Sequence, residues 1–287
     1  MIYAITYSDE AFISSRKYNI KTSYSKGNVD KAIQYTPSDI DQSFKSKNAS
    51  IFSYKRGAGL WLWKPYLIAK TLTQLNDGDY LIYTDAGSFY TNKVQYLIDI
   101  MNTDKTDIMT FEIPLLQRQF TKKETFVLMN YDKYNFNQIL AGYILIRKNN
   151  WTTAFIDEWL AYMCDERIVS PKHFLSDIEE FPDFVSHRED QSVFSVLCRK
   201  KGIIPYRDPS QYGDYPWEYA SDQWEYRPMH YKNSPFPRII VGNRKEDPIK
   251  YKYKQIIKDV CYQLGILSRK KYLRKYGLIS DNIGQEP

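Results

Sequence analysis

Residues 78–90 read GDYLIYTDAGSFY, and the position of Asp85 within them decides the fold. Tyr80-Leu81-Ile82-Tyr83 shows no polar alternation, as expected for a strand buried on both faces of a mostly parallel sheet. Open α/β sheets bind ligands outside the carboxyl ends of their strands, which is where Asp85 falls. Ala86-Gly87-Ser88 is small enough for backbone or ligand to come close. Asp77-Gly78-Asp79 is a second acidic pair, but it precedes the strand and lies at the amino end of the sheet. With Asn76 and Gly78 it reads as a turn.

Outward from that strand, helices and strands alternate, which makes the fold α/β. Ile2–Tyr7 reads as the first strand, with helical character following around Arg16. KAIQYTPSDI holds a strand and a turn at Pro37. SYKRGAGLWLWKPYLIAKTL is a glycine loop entering a helix near Trp63-Lys64-Pro65, with Leu67, Ile68, Leu72 and Leu75 on one apolar face. DIMTFEI and QILAGYILIRK are strands, and Gly142 inside the second predicts close approach of a ligand or backbone. Thr121 and Glu124 form a capping-box pattern that starts a helix. Asn150 opens another helix; REDQSVFSVLCRKKG is a helix closed by Gly202, and IIPY is a short strand. No G-x-G-x-x-G follows the first strand, and there is no P-loop.

The 287 residues carry a net charge of +6, unevenly spread. Arg244 to Lys275 holds 11 Lys/Arg against 3 Asp/Glu, a surplus of eight that leaves the rest at −2. A near-neutral body argues against nucleic acid as partner. The basic run suits an anionic membrane surface. Residues 1–240 thus read as a near-neutral body, the place for any catalytic domain, and 241–287 as a basic helical tail. The cysteines, Cys164, Cys198 and Cys261, have no metal-ligand spacing and suit a reducing cytosol. The first residues lack the basic start and long apolar core of a signal peptide, and no run approaches a membrane span. The expected place is therefore cytoplasmic, peripheral on the inner face of the plasma membrane. Aromatics reach 16%, with 26 tyrosines. Tyr212, Tyr215, Trp217, Tyr219, Trp224 and Tyr226 crowd a segment suited to packing on the C–H faces of sugar rings.

RGAGLWLWKPYLIAKTL, GDYLIYTDAGS, QILAGYILIRKN and HREDQSVFSVLCRKKGI, in this order over residues 54–206, resemble the bacterial GT-A-fold glycosyltransferases of capsular polysaccharide and O-antigen assembly. The tail has no counterpart in that resemblance. It implies a GT-A-like, Rossmann-like sheet and a hexosyltransferase acting on a uridine diphosphate sugar, with a growing, possibly lipid-linked glycan as acceptor. It also implies a divalent ion, manganese or magnesium, between the diphosphate and an Asp-x-Asp motif. Here that place reads Asp85-Ala86-Gly87, without the second acid. Asp85 is then either a metal ligand, with His230 as the second, or a ribose ligand in a metal-free site.

Under the same resemblance the donor-binding set is Tyr7, Arg56, Gly57, Trp63, Lys64, Asp85, Ala86 and Gly87. Glycines and a helix start favour a diphosphate, Arg56 can fork onto its oxygens, and Lys64 adds a point charge. Trp61 and Trp63 suit stacking on uracil or sugar, or a place in the core; because they alternate in an extended segment, one of the two is expected to be core. Asp190 and Glu189, at a helix start, are the candidate catalytic acids: a base for the acceptor hydroxyl, or a partner of the oxocarbenium-like centre. Capping that helix is the alternative role for both. Two other functions share these features. A sugar nucleotidyltransferase would need a glycine-rich basic loop after the first strand, where TYSDEAF stands. A non-catalytic sugar-binding relative would tolerate the missing acid.

Overall fold

The computed structural model describes residues 1–243 and 246–278. Arg244 and Lys245, part of the basic run, and residues 279–287 lie outside the described residues. The strands are β1 (Ile2–Tyr7), β2 (Lys31–Tyr35), β3 (Tyr80–Thr84), β4 (Ser88–Tyr90), β5 (Ile108–Leu116), β6 (Asn137–Arg147), β7 (Tyr206–Arg207) and β8 (Ile240–Gly242). The main helices are α1 (Ile13–Ser25), α2 (Trp63–Leu72), α3 (Gln95–Asp104), α4 (Lys123–Leu128), α5 (Asn150–Met163), α6 (Glu189–Lys200), α7 (Pro248–Gln263) and α8 (Arg269–Lys275).

Six strands form one sheet in the order β2-β1-β3-β6-β5-β7, and β4 pairs with β8 beside it. β2, β1 and β3 run parallel, β6 runs against its neighbours β3 and β5, and β7 is parallel to β5. Five strands therefore share one direction, as the apolar run of β3 predicts. The chain moves outward from β1 to β2 and returns to β3 on the other side. The order reverses between β1 and β3, which is where such sheets leave a crevice.

Strand alternation divides the core into two layers. Ile5, Leu81, Tyr83, Ile144 and Ile146 face a cluster completed by Leu67, Ile68 and Leu72 of α2, Phe155 and Trp159 of α5, and Phe194 of α6. Ala4, Ile82, Leu145 and Met109 face the other way, against Leu97, Ile98 and Met101 of α3 and Ile240 of β8. Helices thus cover both faces, and β3 has no solvent side.

Two local expectations give way. The Thr121–Glu124 capping box does not form: α4 begins at Lys123, its cap Lys122 makes no side-chain capping hydrogen bond, and Thr121 accepts from the Gln117 amide at 2.7 Å. Glu124 is instead fully buried against Lys122 at 2.9 Å and accepts the Phe174 N–H. A buried carboxylate bound to a buried ammonium outweighs a surface cap. The strand expected at IIPY sits at Tyr206–Arg207, slightly later, because Phe111 and Glu112 fix its register. The tail is two helices, broken at Gly265 with φ +70°. β8 crosses residue 240 to pair with β4.

Candidate active site

The chain leaving β3 is clamped before it reaches solvent. Asn19 of α1, buried, donates to Thr84 Oγ1 at 2.9 Å and to the Ser88 carbonyl at 3.0 Å. Ser88 Oγ donates to the Asp85 carbonyl at 2.5 Å, and the Asp85 N–H reaches the Gly142 carbonyl at 3.0 Å. Asp85 is thus held at the switch point with its carboxylate half-exposed. Gly142 is constrained by space rather than by its backbone angles: a Cβ there would lie 3.1 Å from Asp85 Oδ2, which would have to shift. The close approach expected at Gly142 is made by this carboxylate.

Two contiguous cavities open here, of about 770 and 240 Å³, and Asp85, Arg56 and Trp61 line both. The larger runs from Tyr7 and Trp63 past Asp85-Ala86-Gly87 to Asp208, Tyr212 and Tyr219. The smaller holds Lys64, Glu189 and Asp190. The two therefore gather every candidate donor-binding residue and both candidate acids, from segments far apart in sequence.

Lys64 is buried and donates to Asp190 Oδ2 and, at 3.2 Å, to the Ala141 carbonyl; Asp85 Oδ1 lies 3.4 Å away. Tyr83 donates its hydroxyl to Asp85 Oδ1 at 2.6 Å. Burial pulls the Lys64 ammonium down, but Asp190 and Asp85 more than offset it and hold its pKa above the ordinary value. Lys64 is therefore a cation shared by two acids, not a free ligand for phosphate. Arg56 forks onto Glu189, with Nη2 to Oε2 at 3.2 Å, while most of its side chain stays exposed. Burial raises the Glu189 carboxyl, and Arg56 offsets this only in part. Both acids stand in the first turn of α6, whose N-cap Arg188 makes no side-chain capping hydrogen bond. Both face cations across the cavity. Glu189 also takes φ +35°, a strained angle for a residue with a side chain.

The glycine loop is a left-handed turn. Gly57, Ala58, Gly59, Leu60 and Trp61 all have positive φ, from +49° to +97°. Such angles cost about 1–2 kcal/mol at each non-glycine residue. The turn is locked by the Leu60 N–H to the Arg56 carbonyl at 2.9 Å and by Trp63 Nε1 to the Gly57 carbonyl at 2.8 Å. Trp63 is the buried tryptophan and stacks on Tyr7 at 3.8 Å, whereas Trp61 stays partly open. Both line the larger cavity, and Trp63, the one placed in the donor-binding set, is the more buried of the two.

The aromatic segment divides three ways. Tyr212 and Tyr219 face the cavity with rings 5.2 Å apart. Tyr215 stacks on Tyr262 of α7 at 4.1 Å, and Trp217 donates to the Tyr262 hydroxyl. Trp224 rests edge-on against Phe120, and Tyr226 pairs with Leu115 at the edge of the sheet. His230 stands apart: it is exposed and lines neither cavity, while Tyr231 turns inward to Glu112. Asp77 and Asp79 lie at the other end of β3. Asp77 faces Lys148, and Asp79 holds the terminal ammonium at 2.7 Å and the Asn76 N–H.

Among the described residues no three His, Cys, Asp or Glu side chains converge on a point that could hold a cation. Asp85 is already engaged by Lys64 and Tyr83. The pair expected to hold a divalent ion, Asp85 and His230, is not brought together, and Lys55, Arg56, Lys64 and Arg188 supply positive charge along the two cavities. Asp208 and Tyr143 are cavity residues that sequence reasoning passes over. Asp208, like Asp85, follows a strand, here of only two residues.

No protein-family model and no curated protein matches the sequence. Its structural neighbours are glycosyltransferases. One is mouse xyloside xylosyltransferase 1 in its apo form, 8% identical, TM-score 0.45, with 84% of this chain and 97% of that one covered. Another is the galactosyltransferase LgtC in complex with donor and acceptor sugar analogs, 13% identical, TM-score 0.43, with 84% and 86% covered. A third is the apo form of GlyE of Streptococcus pneumoniae TIGR4, 14% identical, TM-score 0.39, with 95% and 62% covered. These are similarities of chain path. The roles of residues here rest on the geometry above.

Proposed function

We propose that this chain transfers a hexosyl group from a uridine diphosphate sugar to a saccharide acceptor of the capsule or O-antigen kind. One observation carries the reading. The site at the β1/β3 switch point, two contiguous cavities, joins an aromatic pair, a strained glycine turn with an exposed arginine, and the acids Asp85, Glu189 and Asp190 paired with Lys64 and Arg56. The volume of the larger cavity suits a ligand of nucleotide-sugar size. In this reading the base lies against Tyr7 and Trp63, and Asp85 takes ribose hydroxyls. The diphosphate lies along Lys55 and Arg56, the exposed cations on the wall. Arg56 then exchanges Glu189 for phosphate oxygens and offsets the charge that grows on the leaving group. Glu189, released and lifted by burial, is the base nearest that exchange, while Asp190, held by Lys64, faces the sugar. Lys64 allows two carboxylates to stand beside an anionic donor.

Thermal shift with a panel of nucleotides and nucleotide sugars, with and without manganese, tests this. Uridine diphosphate should raise the melting temperature by mass action, and Arg56→Ala should weaken that binding by about 1.5–3 kcal/mol. No stabilisation by any nucleoside diphosphate would overturn the reading. A shift seen only with manganese would give Asp85 the ion after all.

The same reading places the enzyme on an anionic membrane. α7 docks through its polar side: Asp259 meets Arg238 at 2.8 Å, Lys258 meets Glu218 at 2.6 Å, and Gln255 is buried. Ile249, Tyr253, Ile256, Ile257, Val260 and Leu264 form the outward stripe, each more than two-fifths exposed. Lys250 and Lys254 are exposed on the same helix. A helix with its apolar face outward among lysines suits an interface of lipid headgroups. Among the described residues no helix is long and apolar enough to cross a membrane.

A further inference from the structure

Asp208 follows β7 and is 3% exposed. Its Oδ1 takes the Ser210 N–H at 2.7 Å, while its Oδ2 is buried with no hydrogen-bond partner. The neighbouring cation is turned elsewhere: Arg207 binds Asp214 at 2.8 Å and the Phe236 carbonyl. The loop is fixed around the acid, since a Cβ at Gly213 would lie 1.9 Å from the Asp208 carbonyl oxygen. A buried carboxylate oxygen without a donor carries its full desolvation cost, and a fold keeps such an atom for a reason. Burial also lifts this carboxyl to about 6.

Its place in the cavity suggests the reason. β1 and β7 are four strand spacings apart in the sheet, roughly 19 Å. Tyr7 and Trp63 lie at the β1 end of the cavity, and Asp208 follows β7 at the opposite flank. Around Asp208 the wall is Tyr143, whose phenol feels the Asp208 charge, together with Tyr212 and Tyr219. We infer that Asp208 is an acceptor-binding residue: its unpaired Oδ2 takes a hydroxyl of the saccharide acceptor, whose ring packs on Tyr212 and Tyr219. The inference rests on the glycosyl-transfer reading and adds the acceptor end to it.

The test uses the full chain, wild type and Asp208→Asn, which keeps the side-chain shape and an oxygen for the Ser210 N–H. Calorimetry measures uridine diphosphate binding. Ligand-observed NMR, with uridine diphosphate present, measures binding of the methyl glycosides of glucose, galactose and N-acetylglucosamine. The expected result is unchanged nucleotide affinity and a loss of about tenfold in glycoside affinity, the difference between a charge-assisted and a neutral hydrogen bond. Tyr219→Leu, which removes half the platform, should give the same pattern and stands in should Asp208→Asn fail to fold. Equal glycoside affinity in wild type and variants overturns the inference, as does a wild type that binds none of the glycosides. A loss of nucleotide affinity in Asp208→Asn overturns it by moving the residue to the donor side. A wild type that binds no uridine diphosphate overturns the glycosyl-transfer reading itself, and the acceptor site with it.

Discussion

Lys64 shows what a single side chain does in this site. Asp190 and Asp85 would repel each other and any phosphate, and one buried ammonium between them removes most of that cost. Lys64→Met should therefore destabilise the fold by roughly 3–5 kcal/mol, and adding Asp190→Asn should recover a large part; urea unfolding of the single and double variants measures both. Asp85→Asn should leave the melting temperature nearly unchanged and abolish transfer, because its carboxylate is half-exposed and serves the ligand rather than the core. Near-normal turnover would remove Asp85 from the site. Asp208 makes a prediction in pH. Its pKa is raised from an ordinary value near 4 to about 6, so the folded chain holds this proton more tightly than the unfolded one. The ionised carboxylate then opposes folding above pH 6 and ceases to do so by pH 4. Asp208→Asn should gain about 2–3 kcal/mol at pH 8 and almost none at pH 4, read from thermal melts at the two pH values.

At the scale of elements, the glycine turn and the start of α6 are built alike. Each spends backbone strain beside the cavity, at Ala58, Leu60 and Trp61 in one and at Glu189 in the other. Ala58→Gly should stabilise the chain by about 1 kcal/mol, since glycine adopts φ +49° without a Cβ clash. Unchanged or lower stability would mean that the turn is not under strain at that residue. Gly142→Ala is the opposite case. Its Cβ would press on Asp85 Oδ2, so turnover should fall while the strand pairing of β6 persists.

For the whole molecule, the position of α7 matters most. Arg238, Asp214 and Asp259 form a charged network that ties the helix to the rest of the fold, and Leu273 of α8 is buried. Deleting everything after Asp247 would therefore disturb the fold as well as any membrane contact, contrary to a tail that is simply appended. Ile256→Ser with Ile257→Ser is the cleaner change, since both side chains point outward. Binding to vesicles rich in anionic lipid should drop severalfold at constant melting temperature. Higher salt should weaken what remains, because the lysine contribution is screened. Equal vesicle binding by wild type and variant would leave the stripe without a membrane role.

Sequence alone determined the strands β1, β3 and β6, the helices α2, α5 and α6, and the placement of Asp85 at a carboxyl strand end. Those features are local: an apolar run, a helical period, a glycine or proline at a boundary. Tertiary structure decided what each charge does. Lys64 and Asp190 are 126 residues apart, and Arg56 and Glu189 are 133 apart, so no spacing rule pairs them. Only the folding of α2 and α6 onto the same end of the sheet turns a phosphate-ligand candidate into the shared counter-ion of two acids. Asp208 was illegible for the same reason: a short strand before it is legible at IIPY, but the acid's meaning comes from a cavity wall assembled by β6, β7 and the aromatic segment. The direction of β6 and the outward apolar face of α7 were also settled in three dimensions, because hydrophobic pattern fixes which residues share a face but not what that face meets.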